Sequence, residues 1–156
     1  MAGRFLNHYT MLAFTDAYWA LSRDERAKVL DSFAAGLPDL AETVHVYQVF
    51  PARSDTDILL WCALEADSEC AAAGFFGKLA KFSSGVRQYL KPVNTLWGFT
   101  RPSQYHPGKS PQELDPSTPE RRPYLVIYPF SKTSEWYLLS RDSRQGMMTE
   151  HIKLGK

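Results

Sequence analysis

One histidine in this sequence is placed to do chemistry. His151 stands one helical turn beyond Met147, on the side of a segment carrying Gln145, Gly146, Met147 and Met148, so its imidazole would project toward whatever that helix covers. A neutral imidazole is the commonest nitrogen ligand for a metal. The two cysteines, Cys62 and Cys70, form no C-x-x-C pair, and no second His or Cys lies at cage spacing from His151. Neither a zinc site nor a disulfide framework is therefore indicated, and a reducing compartment is expected. A single axial His in a setting lined by Met148 and its neighbours suits an iron porphyrin better than zinc. The residues also permit a core histidine bonded to a backbone carbonyl, and both readings stand at this point.

An internal repeat sets His151 apart. Leu21-Ser22-Arg23-Asp24-Glu25-Arg26 recurs as Leu139-Ser140-Arg141-Asp142-Ser143-Arg144, 118 positions on, each copy preceded by an aromatic pair, Tyr18-Trp19 and Trp136-Tyr137. Along that offset Phe33, in the apolar stripe of the first helix, falls on His151.

These residues need elements to hold them. Alternation and β-propensity predict strands at 8–15, 43–50, 57–66 and 93–100. Helices are expected at 21–35, opened by the capping box Ser22/Glu25 with Val29, Leu30 and Phe33 buried, and at about 68–82, with Ala71, Phe75 and Leu79 as its stripe. The order βαββαβ is a ferredoxin-like unit, an antiparallel sheet with two helices on one face. Residues 101–123 hold six of the ten prolines and almost no aliphatic side chain, so they read as a linker. Beyond it, 124–130 reads as a strand and Ser140 caps a helix running to about Leu154. The predicted fold class is α+β, with tandem ferredoxin-like units: a complete one over 1–100 and the start of a second over 124–156.

Composition removes other classes. Eighteen Lys+Arg against 17 Asp+Glu give a net charge of +1, and there is no basic run, so nucleic acid is not an expected partner. With 44% hydrophobic residues the chain can bury a core. It has no apolar run of spanning length and no signal-peptide pattern, so a cytoplasmic chain without a membrane anchor is expected.

The last 33 residues, YLVIYPFSKTSEWYLLSRDSRQGMMTEHIKLGK, closely resemble the chlorite dismutase superfamily, and its coproheme decarboxylases most of all. The resemblance rests on Tyr-Pro-x-x-Lys-x-x-x-Trp-Tyr followed by a capped helix with Glu-His-x-x-x-Gly. Upstream, Thr100-Arg101-Pro102-Ser103-Gln104-Tyr105 resembles the end of that family's first unit. The resemblance implies that His151 is the proximal iron ligand, that Lys132 neighbours the porphyrin carboxylates, and that Trp136 packs near the macrocycle. It implies that Tyr105 contacts a propionate and that Tyr128 is oxidised and takes hydrogen from a propionate before carbon dioxide leaves. Met148 is expected to pack on the cofactor. Arg121 and Arg122 are weaker candidates for neutralising a tetra-anionic substrate. The implied reaction is peroxide-dependent oxidative decarboxylation of iron coproporphyrin III to haem b. The alternatives are a haem b chlorite dismutase, yielding chloride and dioxygen, and a haem-binding or oligomerisation module without turnover. Family chains continue for about another unit past the proximal histidine, so the sequence reads as truncated shortly after it. They also form rings, often pentamers, which implies a homo-oligomer.

Overall fold

The computed structural model describes residues 4–100, 116, 118 and 120–154, leaving out the side chains of 69, 151, 152 and 154. They separate into two compact units: one built on 4–100 together with 116, 118 and 120–124, the other on 125–154.

In the first unit the chain runs β1 (Phe5–Phe14), α1 (Asp16–Trp19), α2 (Arg23–Ala35), β2 (Thr43–Gln48), β3 (Ile58–Glu65), α3 (Glu69–Val86) and β4 (Leu90–Phe99). The strands form one antiparallel sheet in the order β2-β3-β1-β4. Alternation along β1 turns Leu6, His8, Thr10 and Leu12 into the interior. With Leu60 and Cys62 of β3 they meet Phe33 of α2 and Phe75 and Leu79 of α3 in one core. Pro92 is tolerated in β4 because this is an edge strand, and the β1/β4 register shifts beside it, between Met11 and Leu12.

Local chemistry fixes where α2 begins and how closely it packs. Ser22 Oγ accepts from the Glu25 N–H at 3.4 Å, and Glu25 Oε2 accepts from the Ser22 N–H at 2.9 Å, which completes the capping box. At its C-terminal end, Gly36 lies against Phe82 of α3, where an added Cβ would come within 2.8 Å of the ring. The helices approach this closely because the residue has no side chain. Leu30, expected in the buried stripe, is exposed, and the contact rests on Phe33 with half-buried Val29.

Two imidazoles are enclosed. His8 lies between the rings of Phe75 and Phe76, with Thr10 Oγ1 at 3.1 Å from its Nδ1. His45, on the other side of the sheet, packs against Trp61 with centroids 5.1 Å apart, and its Nε2 has no partner among the described residues. Burial lowers both pKa values below the ordinary 6.5.

The second unit holds α4 (Ser134–Leu138) and α5 (Arg141–Leu154). Residues 124–130, expected as a strand, form no ladder with any described residue. The described residues offer them no neighbouring strand, and Pro129 has no N–H to donate. The fold is α+β, with tandem ferredoxin-like units of which the first is complete and the second only partly present. No described helix is long and apolar enough to cross a membrane.

Candidate functional site

The two units repeat one another in backbone detail. In the first, Thr15 caps α1, and the N–H groups of Tyr18, Leu21 and Arg26 donate to the carbonyls of Thr15 (3.0 Å), Tyr18 (3.1 Å) and Ser22 (3.0 Å). At the same offset of 118 positions, Trp136, Leu139 and Arg144 donate to Thr133 (3.1 Å), Trp136 (3.3 Å) and Ser140 (3.1 Å). Ser140 Oγ accepts from the Ser143 N–H at 3.1 Å, as Ser22 does from Glu25. A short helix, a connection of two or three residues and a capped longer helix thus occur twice.

Side chains on this shared frame differ. In the first copy Phe14 stacks on Tyr18 with centroids 4.0 Å apart. In the second, Lys132 replaces Phe14 and places its Nζ 4.9 Å from the ring centroid of Trp136, which replaces Tyr18. That is a cation–π contact, with the ammonium held at the face of the indole. Tyr128 pairs with Phe130, rings 6.1 Å apart and 25° from parallel, and both are largely exposed, at 68% and 74%. Met148 is half-buried on α5. His151 occupies a position near the C-terminal end of α5. Its side chain, and the whole of Tyr105, lie outside the described residues.

The structure therefore joins Lys132 to Trp136 and Tyr128 to Phe130, and puts Met148 and position 151 on one helix. Arg121 instead lies over the Tyr47 ring of the first unit, 5.2 Å from its centroid. Among the described residues no group of three or more His, Cys, Asp or Glu side chains gathers as a metal cage. Burial pushes the Cys62 thiol up to about 12, so it is no ready ligand or nucleophile.

One residue escapes the motif reading. Arg144 is half-buried on α5, and its Nε is enclosed without a hydrogen-bond partner among the described residues. Its sequence signal was the pairing with Arg26 inside the repeat.

The sequence profile of the chlorite dismutase family matches residues 22–156, across both copies of the repeat. The chain belongs to the chlorite dismutase family. It is 27% identical over 132 residues to the coproheme decarboxylase of Mycolicibacterium smegmatis, covering 82% of this chain and 55% of that relative. Among solved structures, a mutant chlorite dismutase from Candidatus Nitrospira defluvii superposes with a TM-score of 0.73 at 18% identity, over 96% of this chain and 64% of that one. Another variant of the same enzyme gives 0.72 at 16% identity, over 96% and 63%. At such identities the likeness speaks for the fold alone. The chain spans little more than half of the curated relative and less than two thirds of these solved chains.

Proposed function

We propose that this member of the chlorite dismutase family is a haem-dependent oxidoreductase whose second unit holds an iron porphyrin. We further propose that the reaction is peroxide-dependent decarboxylation of iron coproporphyrin III to haem b. The observation that carries this reading is the shared frame of the two copies. In the first unit Thr10 and Phe33 face each other's layer in the core, 2% and 4% exposed. The same positions of the second copy are Tyr128 and His151. A second unit built like the first therefore directs a phenol and an imidazole into one interlayer space. Lys132 lies on the same alternation as Tyr128, at the position of Phe14.

The residues present suit the group. His151 would supply a nitrogen for the iron, Met148 and Trp136 would offer apolar surface for a macrocycle, and Lys132 would offer a cation for its carboxylates. The enclosed Arg144 Nε is a donor awaiting an acceptor. When bound, the iron porphyrin is both substrate and the centre through which peroxide supplies oxidising equivalents. For each propionate converted, one peroxide is reduced to two waters as one carboxyl leaves as carbon dioxide and a vinyl group remains.

The chain's own groups have three tasks. His151 would hold the iron through an imidazole nitrogen. Lys132 pairs with a carboxylate and orients the macrocycle about that axis. Tyr128 would give the proton and one electron of its Oη–H to the oxidising equivalents that peroxide supplies and recover a hydrogen atom from the propionate carbon chain. The second electron would pass to the same oxidant as the carboxyl leaves as carbon dioxide, so the reach of Tyr128 would select which propionate reacts. Tyr105 is assigned to a further propionate.

Mass spectrometry after adding ferric coproheme and then peroxide tests the reading. Stepwise loss of two carboxyl groups, abolished in Tyr128→Phe, is the expected result. Chloride and dioxygen from chlorite, with intact propionates, would move the assignment to the activity for which the family is named. No turnover of either substrate would leave a binding module.

A further inference from the structure

Arg144, Met148 and His151 recur at i, i+4 and i+7, so they lie along one face of α5. Arg144 and Met148 are the half-buried side chains there, while Arg141, Asp142 and Gln145 are exposed. In the first copy, Arg26 meets an aromatic partner, its guanidinium 5.6 Å from the ring centroid of Trp19. Arg144 has neither a hydrogen bond to Nε nor a carboxylate within salt-bridge distance among the described residues. An enclosed N–H donor of a charged group left without an acceptor is costly and calls for one.

The helix sets where that acceptor lies. Seven residues at 1.5 Å each put Arg144 roughly 10 Å along the axis from position 151. This is about the separation between the centre of a porphyrin and its carboxylate-bearing rim. A macrocycle ligated at position 151 and lying along α5 would pass over Met148 and bring its edge to Arg144.

Resting on the porphyrin reading above, we propose that Arg144 is a carboxylate anchor for the macrocycle, pairing with a propionate at the rim while position 151 holds the iron. The guanidinium is always charged, and its planar fork accepts a carboxylate in bidentate fashion. Lys132 approaches from the segment before α4, so the two cations would fix two different carboxylates. Together they set the rotation of the ring beneath Tyr128. The ligand class is an iron porphyrin with free propionates, in preference to an esterified or uncharged macrocycle.

The test is a titration of the purified protein, read by the Soret band, with ferric coproporphyrin III and with its tetramethyl ester. Arg144→Gln should weaken binding of the free acid about tenfold and leave binding of the ester unchanged, because the lost pairing is charge-assisted. Arg144→Lys should recover part of the loss, and Arg141→Gln, on an exposed position of α5, should bind both like the wild type. Equal weakening of acid and ester, or no weakening of either, would overturn the anchor and leave the porphyrin site standing. No Soret change in the wild type, or an unchanged one in His151→Ala, would overturn the porphyrin reading and this proposal with it. Far-UV circular dichroism separates any of these from loss of the helix.

Discussion

The segments at 15–26 and 133–144 share three backbone hydrogen bonds, yet the side chains they carry pack differently. In the first copy Phe14 and Tyr18 stack and Phe33 is sealed between layers. In the second, Lys132, Trp136 and position 151 stand in their places, and Tyr128 and Phe130 remain exposed. Apolar packing has been exchanged for a cation, an indole and an imidazole without altering the frame. The difference teaches that one pairing of a short helix with a capped longer helix carries either stacked aromatic rings or a cation–π pair, depending on a few side chains. Burial makes the first copy a stability element; on the function proposed above, the cation, indole and imidazole of the second copy serve binding instead.

The contrast breaks most severely at its paired inward positions. Phe33→Ala should cost about 3–5 kcal/mol, because it empties a volume closed by Phe82, Leu40 and the sheet. His151→Ala should shift the urea midpoint little while changing porphyrin binding. Comparable stability losses from the two substitutions, measured by equilibrium denaturation, would mean that the second copy is also a packed core.

The next effect comes from acid. His8 and His45 are buried and their pKa values lie below 6.5 in the folded chain. Well above pH 6.5 neither binds a proton in either state, and their stability contribution is fully present. As pH falls below that value the unfolded chain takes up protons first, so stability declines, by up to about 1.4 kcal/mol per pH unit for each group. The second copy has Val126 where the first has His8. His8→Val should therefore flatten part of the slope between pH 6.5 and 5, and an unchanged slope would remove His8 from the account.

The smallest effect is at the cap. Glu25→Ser installs the residue found at 143 in the second copy and leaves Ser22 Oγ able to accept from the backbone. Loss of the reciprocal bond to the Ser22 N–H should cost about 0.5 kcal/mol. A thermal midpoint unchanged within error would show that the single-sided cap of α5 is as good as the capping box of α2.

Much of the fold was legible because its signals are local. The Ser22/Glu25 box, the alternation along β1 and the stripe through Phe75 and Leu79 each need only neighbouring residues, and all appear in the structure. The short helices α1 and α4 were not legible, since four or five residues cannot display a 3.6-residue period. The sequence at 124–130 alternates as a strand should, but a ladder needs a partner strand that the described residues do not provide. Helix α3 runs past the expected end at Phe82 to Val86, whose side chain packs against the core cluster, a contact invisible in one dimension. At the candidate site, His151 stood out through its spacing from Met147, its pairing with Phe33 across the repeat and the motif it shares with the family. Arg144 was passed over because the motif around Ser140 reads equally well as cap chemistry, and only its enclosed Nε reveals a second role.

The central claim is that position 151 of the second copy ligates iron where the first copy has a core phenylalanine. Chemical rescue tests it most directly: ferric coproheme is added to the wild type and to His151→Ala, and Soret and electron paramagnetic resonance spectra are recorded before and after free imidazole. The account predicts that the variant loses the histidine-ligated spectrum and that imidazole restores it. A variant spectrum identical to the wild type without imidazole would contradict the assignment.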